Sequence, residues 1–71
     1  MPTVILAIPD LTCATCARHI REALAGVPGL GACTIDIPAQ RVRVEVASPQ
    51  AQAAAQARLA DEGYPATVVP A

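Results

Sequence analysis

The chain has 71 residues, of which 54% are hydrophobic and 15% charged, with a formal net charge of −1 and one aromatic residue, a tyrosine. So short a chain buries a small core and leaves no room for a catalytic cleft beside a substrate domain, so we expect one domain over residues 1–71 and no enzyme. The lack of a basic run and of stacking aromatic residues argues against nucleic-acid binding. The longest wholly apolar run, residues 4–8, is far too short for membrane insertion.

The number of cysteines and the N-terminal residues indicate the cellular compartment of the protein. Met1-Pro2 is not a positively charged n-region, so we expect no signal peptide and a cytoplasmic protein, whose thiols stay reduced. Three cysteines are an odd number, which argues against a disulfide framework. In a reducing compartment, Cys13 and Cys16 with two residues between them indicate a metal site or a redox site.

The first third of the chain predicts a strand followed by a helix. The β-branched, apolar run 3–8 predicts a strand with alternate residues facing the core, and Pro9 ends it. Thr12 is the expected N-cap of a helix over residues 14–25. Apolar residues recur in that helix at three- and four-residue spacing, as in an amphipathic helix, and Gly26 ends it.

The rest of the chain predicts a hairpin, a second helix and a last strand. Two alternating runs joined by three residues indicate the hairpin. Ser48-Pro49 is a typical helix start, and the alanine-rich stretch after it favours a helix. The predicted elements are strands at 33–37 and 41–46, a helix from 49 to about 62 and a strand at 66–69.

This βαββαβ order predicts an α+β, ferredoxin-like sandwich. Both helices should lie on one face of a four-stranded antiparallel sheet, with the first and third strands in the centre. The topology brings Tyr64 beside Cys13 and Cys16. It separates Cys33 from them by most of the length of the sheet, so we interpret Cys33 as a small buried hydrophobic residue.

The motifs resemble those of the heavy-metal-associated domain, a family that includes bacterial copper chaperones and the N-terminal metal-binding domains of metal-transporting P-type ATPases. The family motif Gly-Met-Thr-Cys-x-x-Cys reads Asp10-Leu11-Thr12-Cys13-Ala14-Thr15-Cys16 here, with aliphatic Ile20 after it. Val27-Pro28-Gly29-Leu30 and Gly63-Tyr64-Pro65-Ala66 are similar to two further family motifs. The resemblance covers almost the whole chain and implies that Cys13 and Cys16 are metal ligands.

Two positions depart from the family motif. Asp10 stands where the family has Gly, and it brings a carboxylate near the loop. Leu11 stands where the family has Met, and its similar volume lets it pack beneath the site in the same way. Zinc-handling members usually carry Asp directly before the first cysteine, where this chain has Thr12, so the resemblance favours Cu(I).

The chemistry of the pair fits a carrier. Thiolates are soft ligands that select Cu(I), and a helix start lowers the pKa of a thiol. Arg18 and Arg21, on the following turns, would add to this effect. Two protein ligands leave the ion exposed, so that a partner's thiolate can attack and remove it, whereas a closed four-ligand site is structural. The implied partner is a copper-transporting P-type ATPase, reached through its own CxxC domain.

Several alternatives to a copper chaperone stay open. The same scaffold serves a carrier or buffer of Hg(II) or Zn(II), and the chain, although it reads as a complete small protein, matches an excised ATPase domain equally well. A thiol oxidoreductase is a further alternative, but the chain is too short for a thioredoxin fold and has no tryptophan before the motif.

The neighbours of the cysteine pair have alternative roles too. His19, three residues after Cys16, is either a surface histidine or a third metal ligand. As a third ligand, it could act in a metal-bridged homodimer. Tyr64 either covers the hydrophobic edge or shields the ion and hydrogen-bonds near a sulfur. Asp10, Leu11 and Thr12 are expected to surround the ligand pair.

Overall fold

The computed structural model describes residues 1–70, so the last residue of the predicted domain, Ala71, lies outside it. The sheet order is β2-β3-β1-β4, with every neighbouring pair antiparallel and β1 and β3 in the centre. This confirms the predicted ferredoxin-like α+β fold. The elements are β1 (Thr3–Ala7), α1 (Ala14–Ala25), β2 (Leu30–Asp36), β3 (Arg41–Val46), α2 (Pro49–Asp61) and β4 (Thr67–Val69).

One hydrophobic core joins the inward face of the sheet to both helices. In β3 the alternate residues are buried and the others are not, which is the period expected of a strand with one face covered. In α2 the large buried side chain is Leu59, beside two alanines. The fully buried large side chains are Leu6, Ile8, Leu11, Ile20, Val42, Val44 and Leu59.

The boundaries of β2 differ from the sequence-based prediction. The strand begins at Leu30 instead of residue 33, and an irregularity in its pairing with β3 falls between Leu30 and Cys33. There the Glu45 carboxylate accepts a hydrogen bond from the backbone N–H of Ala32, at 3.0 Å. A bulge interrupts the alternation of side chains, so the periodic pattern did not reveal this first part of the strand.

The sheet register defines two ends of the molecule. At one end Ala7 pairs with Arg41 and Thr67, and the chain leaves β1 toward the segment of residues 9–13, hereafter the cysteine loop. Cys33 pairs with Val44, which in turn pairs with Val4, toward the opposite end. The structure therefore separates Cys33 from the cysteine loop, as the topology predicted.

The start of α2 follows the sequence signal. Ser48 is the N-cap, its hydroxyl accepts a hydrogen bond from the N–H of Ala51 at 3.1 Å, and Pro49 is the first helical residue. This arrangement satisfies one of the free N–H groups of the first turn, and proline there sacrifices no hydrogen bond. Within residues 1–70, neither helix has the length and apolar character needed to cross a bilayer.

Leu59 is the side chain through which the alanine-rich α2 attaches to the core. We expect Leu59→Ala to lower the free energy of unfolding by about 2–5 kcal/mol, because it removes buried methyl groups and leaves a cavity. Val68→Ala is the control, since Val68 is 37% exposed on the edge strand and should change stability by less than about 0.5 kcal/mol. Urea denaturation would measure both, and equal effects would contradict this account of the core.

Candidate metal centre

Cys13 occupies the N-cap of α1, the position predicted for Thr12. Its backbone is extended, with φ −154° and ψ 168°, and its sulfur accepts a hydrogen bond from the backbone N–H of Cys16 at 3.3 Å. The Thr12 prediction was wrong because a thiol here takes the place of the usual hydroxyl. The sulfur therefore lies at the positive end of the helix, where free N–H groups stabilise an anion.

The two sulfurs of the motif point toward each other. The Sγ atoms of Cys13 and Cys16 lie 2.9 Å apart, within hydrogen-bonding distance, and either sulfur can be the donor. Cys13 is exposed, whereas Cys16 is half-buried and packs against the core. The pair thus has one sulfur open to a partner and one held by the fold.

Hydrogen bonds favour the thiolate of Cys16. The hydrogen bond from Cys13, with further ones from the backbone N–H of Thr12, the Tyr64 hydroxyl and the Thr12 hydroxyl, lowers the pKa of Cys16 from its ordinary 9.0 to about 7 against the opposing effect of burial. At neutral pH a substantial fraction of Cys16 is therefore thiolate, and this sulfur accepts a hydrogen bond from the Cys13 thiol.

The two arginines of α1 do not contribute to this shift as the sequence suggested. The Nε atom of Arg18 lies 4.0 Å from Oε1 of Glu22, and both side chains are exposed. Arg21 acts on Cys33 instead, where its charge opposes the burial that raises the pKa of that thiol. Cys33 is thus held in its neutral form away from the pair, as a structural thiol would be.

Tyr64 lies between Cys16 and His19. Burial raises the pKa of Tyr64, as do its hydrogen bond to Cys16 and the negative charges of Cys16, Cys13 and Asp10. The other contact of its hydroxyl is with His19 Nδ1, at 3.1 Å. The structure therefore brings His19 against Tyr64, and a ring nitrogen of the histidine is occupied by that hydrogen bond.

The cysteine loop is fixed at its middle and at its base. Leu11 is fully buried, and its N–H donates to the carbonyl of Ile8 at 3.0 Å. The base is held by Gln40, a residue that the sequence did not single out, whose side chain donates to the carbonyl of Pro9 at 2.8 Å. The only sequence signal for this contact is a glutamine at the end of a short hairpin loop, where Gly or Asn is usual.

The donor set suits an ion that accepts two soft ligands. Among residues 1–70, no group of three or more His, Cys, Asp or Glu side chains is placed to hold a metal ion together. Two opposite metal–sulfur bonds of about 2.3 Å, a typical zinc–thiolate length, would hold the sulfurs roughly 4.6 Å apart. The sulfurs are closer than that, at 2.9 Å, so binding requires them to separate, and Cys13 is the more exposed of the two.

Comparison with known proteins identifies the family of this chain. Residues 5–65 match the heavy-metal-associated domain, and the chain therefore belongs to this family, whose domains bind heavy metals. The N-terminal domain of PacS from Synechocystis PCC6803 is 28% identical, with a TM-score of 0.86 over 99% of this chain and 100% of that one.

Two further solved structures are similar. One, from work on crosstalk between Cu(I) and Zn(II) homeostasis, is 25% identical, with a TM-score of 0.87 over 97% of this chain and 100% of that one. The other, a copper binding domain from HMA7, a P-type ATPase, is 21% identical, with a TM-score of 0.86 over 99% of this chain and 96% of that one. At that identity the second shows the shared fold alone.

We expect one thiol of the metal-free, reduced protein to titrate at about pH 7, because hydrogen bonds stabilise its anion. The ultraviolet absorbance of the thiolate would monitor this titration. Cys16→Ser should remove this transition, and Tyr64→Phe should shift it to higher pH because one donor to the thiolate is lost. Cys33→Ser is the control that keeps it. Persistence of the transition in Cys16→Ser would contradict the assignment.

Proposed function

We propose that this protein is a Cu(I) carrier that binds the ion between Cys13 and Cys16 and passes it to a copper-transporting P-type ATPase. The observation that carries the proposal is the convergence of two sulfurs at an exposed helix start, one of them with a pKa lowered to about 7. Thiols at such a position lose their protons readily and can then bind a soft cation.

The small number of donors supports Cu(I) over Zn(II). Zinc in structural sites takes four ligands, and in catalytic sites three with an open position. Within the described chain, the sulfur pair has no third metal-binding side chain grouped with it. Hg(II) is also a soft ion, and the two sulfurs would bind it by the same chemistry. A Zn(II) carrier would need further donors from a second molecule.

The difference in exposure between the sulfurs supports transfer by ligand exchange. A partner thiol gives up its proton, and its thiolate bonds to the ion to give a three-coordinate intermediate. The bond from the ion to exposed Cys13 then breaks, and that sulfur takes up the released proton. A second partner thiolate then displaces Cys16, whose departing anion accepts hydrogen bonds from Thr12 and Tyr64. No oxidation or reduction occurs at any step.

A CxxC domain of similar fold is the natural recipient. The copper binding domain of the P-type ATPase HMA7 has this fold, which supports such a domain as partner. In this proposal residues 1–71 act as one domain in the cytoplasm. A metal-binding domain inside a larger ATPase would use the same exchange chemistry, and a metal-bridged homodimer would use the same exposed sulfur.

The direct test is an anaerobic titration with Cu(I) against a chromophoric chelator. We expect binding to saturate near one Cu(I) per chain and to be lost in the Cys13→Ser, Cys16→Ser double variant, because no other sulfur lies beside the pair. Cys33→Ser is the matched control, a thiol removed elsewhere in the fold, and should bind as the wild type does. Undiminished binding by the double variant would contradict the proposal.

Native mass spectrometry under reducing conditions identifies the cargo. With Cu(I), Zn(II) and Hg(II) offered in pairs, Cu(I) should displace Zn(II) from the wild-type protein. Retention of Zn(II) in the presence of Cu(I) would replace the copper proposal with a zinc carrier. Reduction of insulin disulfides by the metal-free protein would instead favour a thiol oxidoreductase.

A further inference from the structure

Gln40 has a backbone conformation that its residue type rarely adopts. Its φ is +56°, in the left-handed region, and it is the one residue other than glycine in residues 1–70 with a positive φ. Glycine adopts this region freely, and asparagine tolerates it. A strained residue of this kind is evidence for a constraint imposed by its surroundings, so the contacts of Gln40 are informative.

Those contacts join the β2–β3 turn to the start of the cysteine loop. The Gln40 side-chain Nε2 donates to the carbonyl of Pro9 at 2.8 Å, and the Gln40 carbonyl accepts from the N–H of Ile8 at 2.9 Å. The backbone N–H of Gln40 donates a hydrogen bond to the carbonyl of Ile37 at 3.0 Å and so closes the β2–β3 turn. One residue thus holds two successive residues that lead from β1 into the cysteine loop.

The turn that presents Gln40 is itself braced. The Asp36 carboxylate accepts from the N–H of Ala39 at 3.2 Å. The Arg41 guanidinium donates to the carbonyls of Ala39 and Gln40 at 3.2 and 3.3 Å. Asp36 and Arg41 also face each other across the hairpin as the last pair of the β2–β3 ladder. The amide of Gln40 is therefore presented from a rigid support.

The cysteine loop has few other attachments at this point. Proline has no N–H, so the carbonyl of Pro9 is the backbone group available for a hydrogen bond there. Beyond Pro9, the buried Leu11 provides the next attachment, and Asp10, Thr12 and Cys13 are exposed. Apart from the hydrogen bonds of Cys13 within the helix start itself, the path of the loop from β1 to Cys13 thus depends on two attachments, one to the core through Leu11 and one to Gln40.

We propose that Gln40 is a positioning residue for the metal centre: its side-chain amide fixes Pro9 and thereby holds Cys13 where the two sulfurs can converge. Glycine would form the turn without strain but would not reach Pro9, which accounts for a glutamine in a left-handed conformation. The role in metal binding rests on the proposed function, whereas the role in ordering the loop is independent of it.

The test compares three variants. Gln40→Met keeps the length of the side chain and the left-handed strain but removes the donor, and Gln40→Gly removes both the donor and the strain. Ser48→Ala is the control, because it removes one hydrogen bond of similar kind at the N-cap of α2, at the end of the molecule away from the cysteine loop. Urea denaturation of all three shows which losses are global.

In the metal-free protein, amide nitrogen relaxation should show the order parameters of residues 10–13 falling from about 0.85 to below about 0.7 in both Gln40 variants, and not in Ser48→Ala. The Cu(I) affinity should fall about three- to tenfold in both Gln40 variants, the effect of one lost hydrogen bond, and stay unchanged in Ser48→Ala. Because Gln40→Gly also removes strain, its affinity loss should occur with little loss of stability.

The outcomes separate the two proposals. If wild-type protein binds Cu(I) and the Gln40 variants match it in affinity and order parameters, Gln40 is only a turn residue and the inference is wrong. The inference is also wrong if the loss of Cu(I) affinity merely follows the loss of global stability. In that case Gln40→Met and Ser48→Ala would lose affinity in the same proportion to their losses in the free energy of unfolding. If wild-type protein binds no Cu(I), the proposed function fails, and the order parameters alone decide whether Gln40 positions the loop.

Discussion

The contact between the sulfurs of Cys13 and Cys16 is the interaction on which the candidate site depends. At 2.9 Å the two atoms lie within hydrogen-bonding distance, and the surrounding donors favour the anion on Cys16. Two full thiolates at this separation would repel each other, so either a proton or a cation must lie between them. A soft metal ion that replaces the proton relieves the same repulsion, and it drives the sulfurs apart to the span of two metal–sulfur bonds.

The rest of the fold holds these two atoms at one edge without enclosing them. Antiparallel pairing of β1 with β3 and β4 brings the cysteine loop, the β2–β3 turn and the segment around Tyr64 to the same end. Leu11 and Cys16 connect the loop and helix to the core, while Cys13 stays exposed. The arrangement joins a half-buried sulfur to an exposed one, which suits retention of the ion followed by its release.

Much of this architecture could be predicted from the sequence, because it depends on local periodicity and on topology. Alternation identified β3, helical spacing and Ser48 identified the helices, and the handedness of the crossovers gave the sheet order and the remote position of Cys33. The N-cap of α1 could not be predicted in the same way. Hydroxyl caps are the common case, and only the structure shows that the Cys13 sulfur takes that role.

The contacts missed at the site are those between residues far apart in sequence. His19 and Tyr64 are 45 positions apart, and Gln40 and Pro9 are 31 apart. Neither pair has a periodic or compositional signature. Side-chain orientation decides each contact, and orientation depends on packing that a single sequence does not encode in any short motif. The bulge between Leu30 and Cys33 was hidden for a related reason, since it breaks the alternation by which strands are recognised.

The most direct measurement of the central claim is copper-edge X-ray absorption of the Cu(I)-loaded protein at a stoichiometry below one ion per chain. We predict a first shell of two sulfur atoms and no nitrogen, with the same spectrum in Cys33→Ser and His19→Ala. A shell containing a histidine nitrogen, or three or more sulfurs, would contradict a two-sulfur site formed by Cys13 and Cys16.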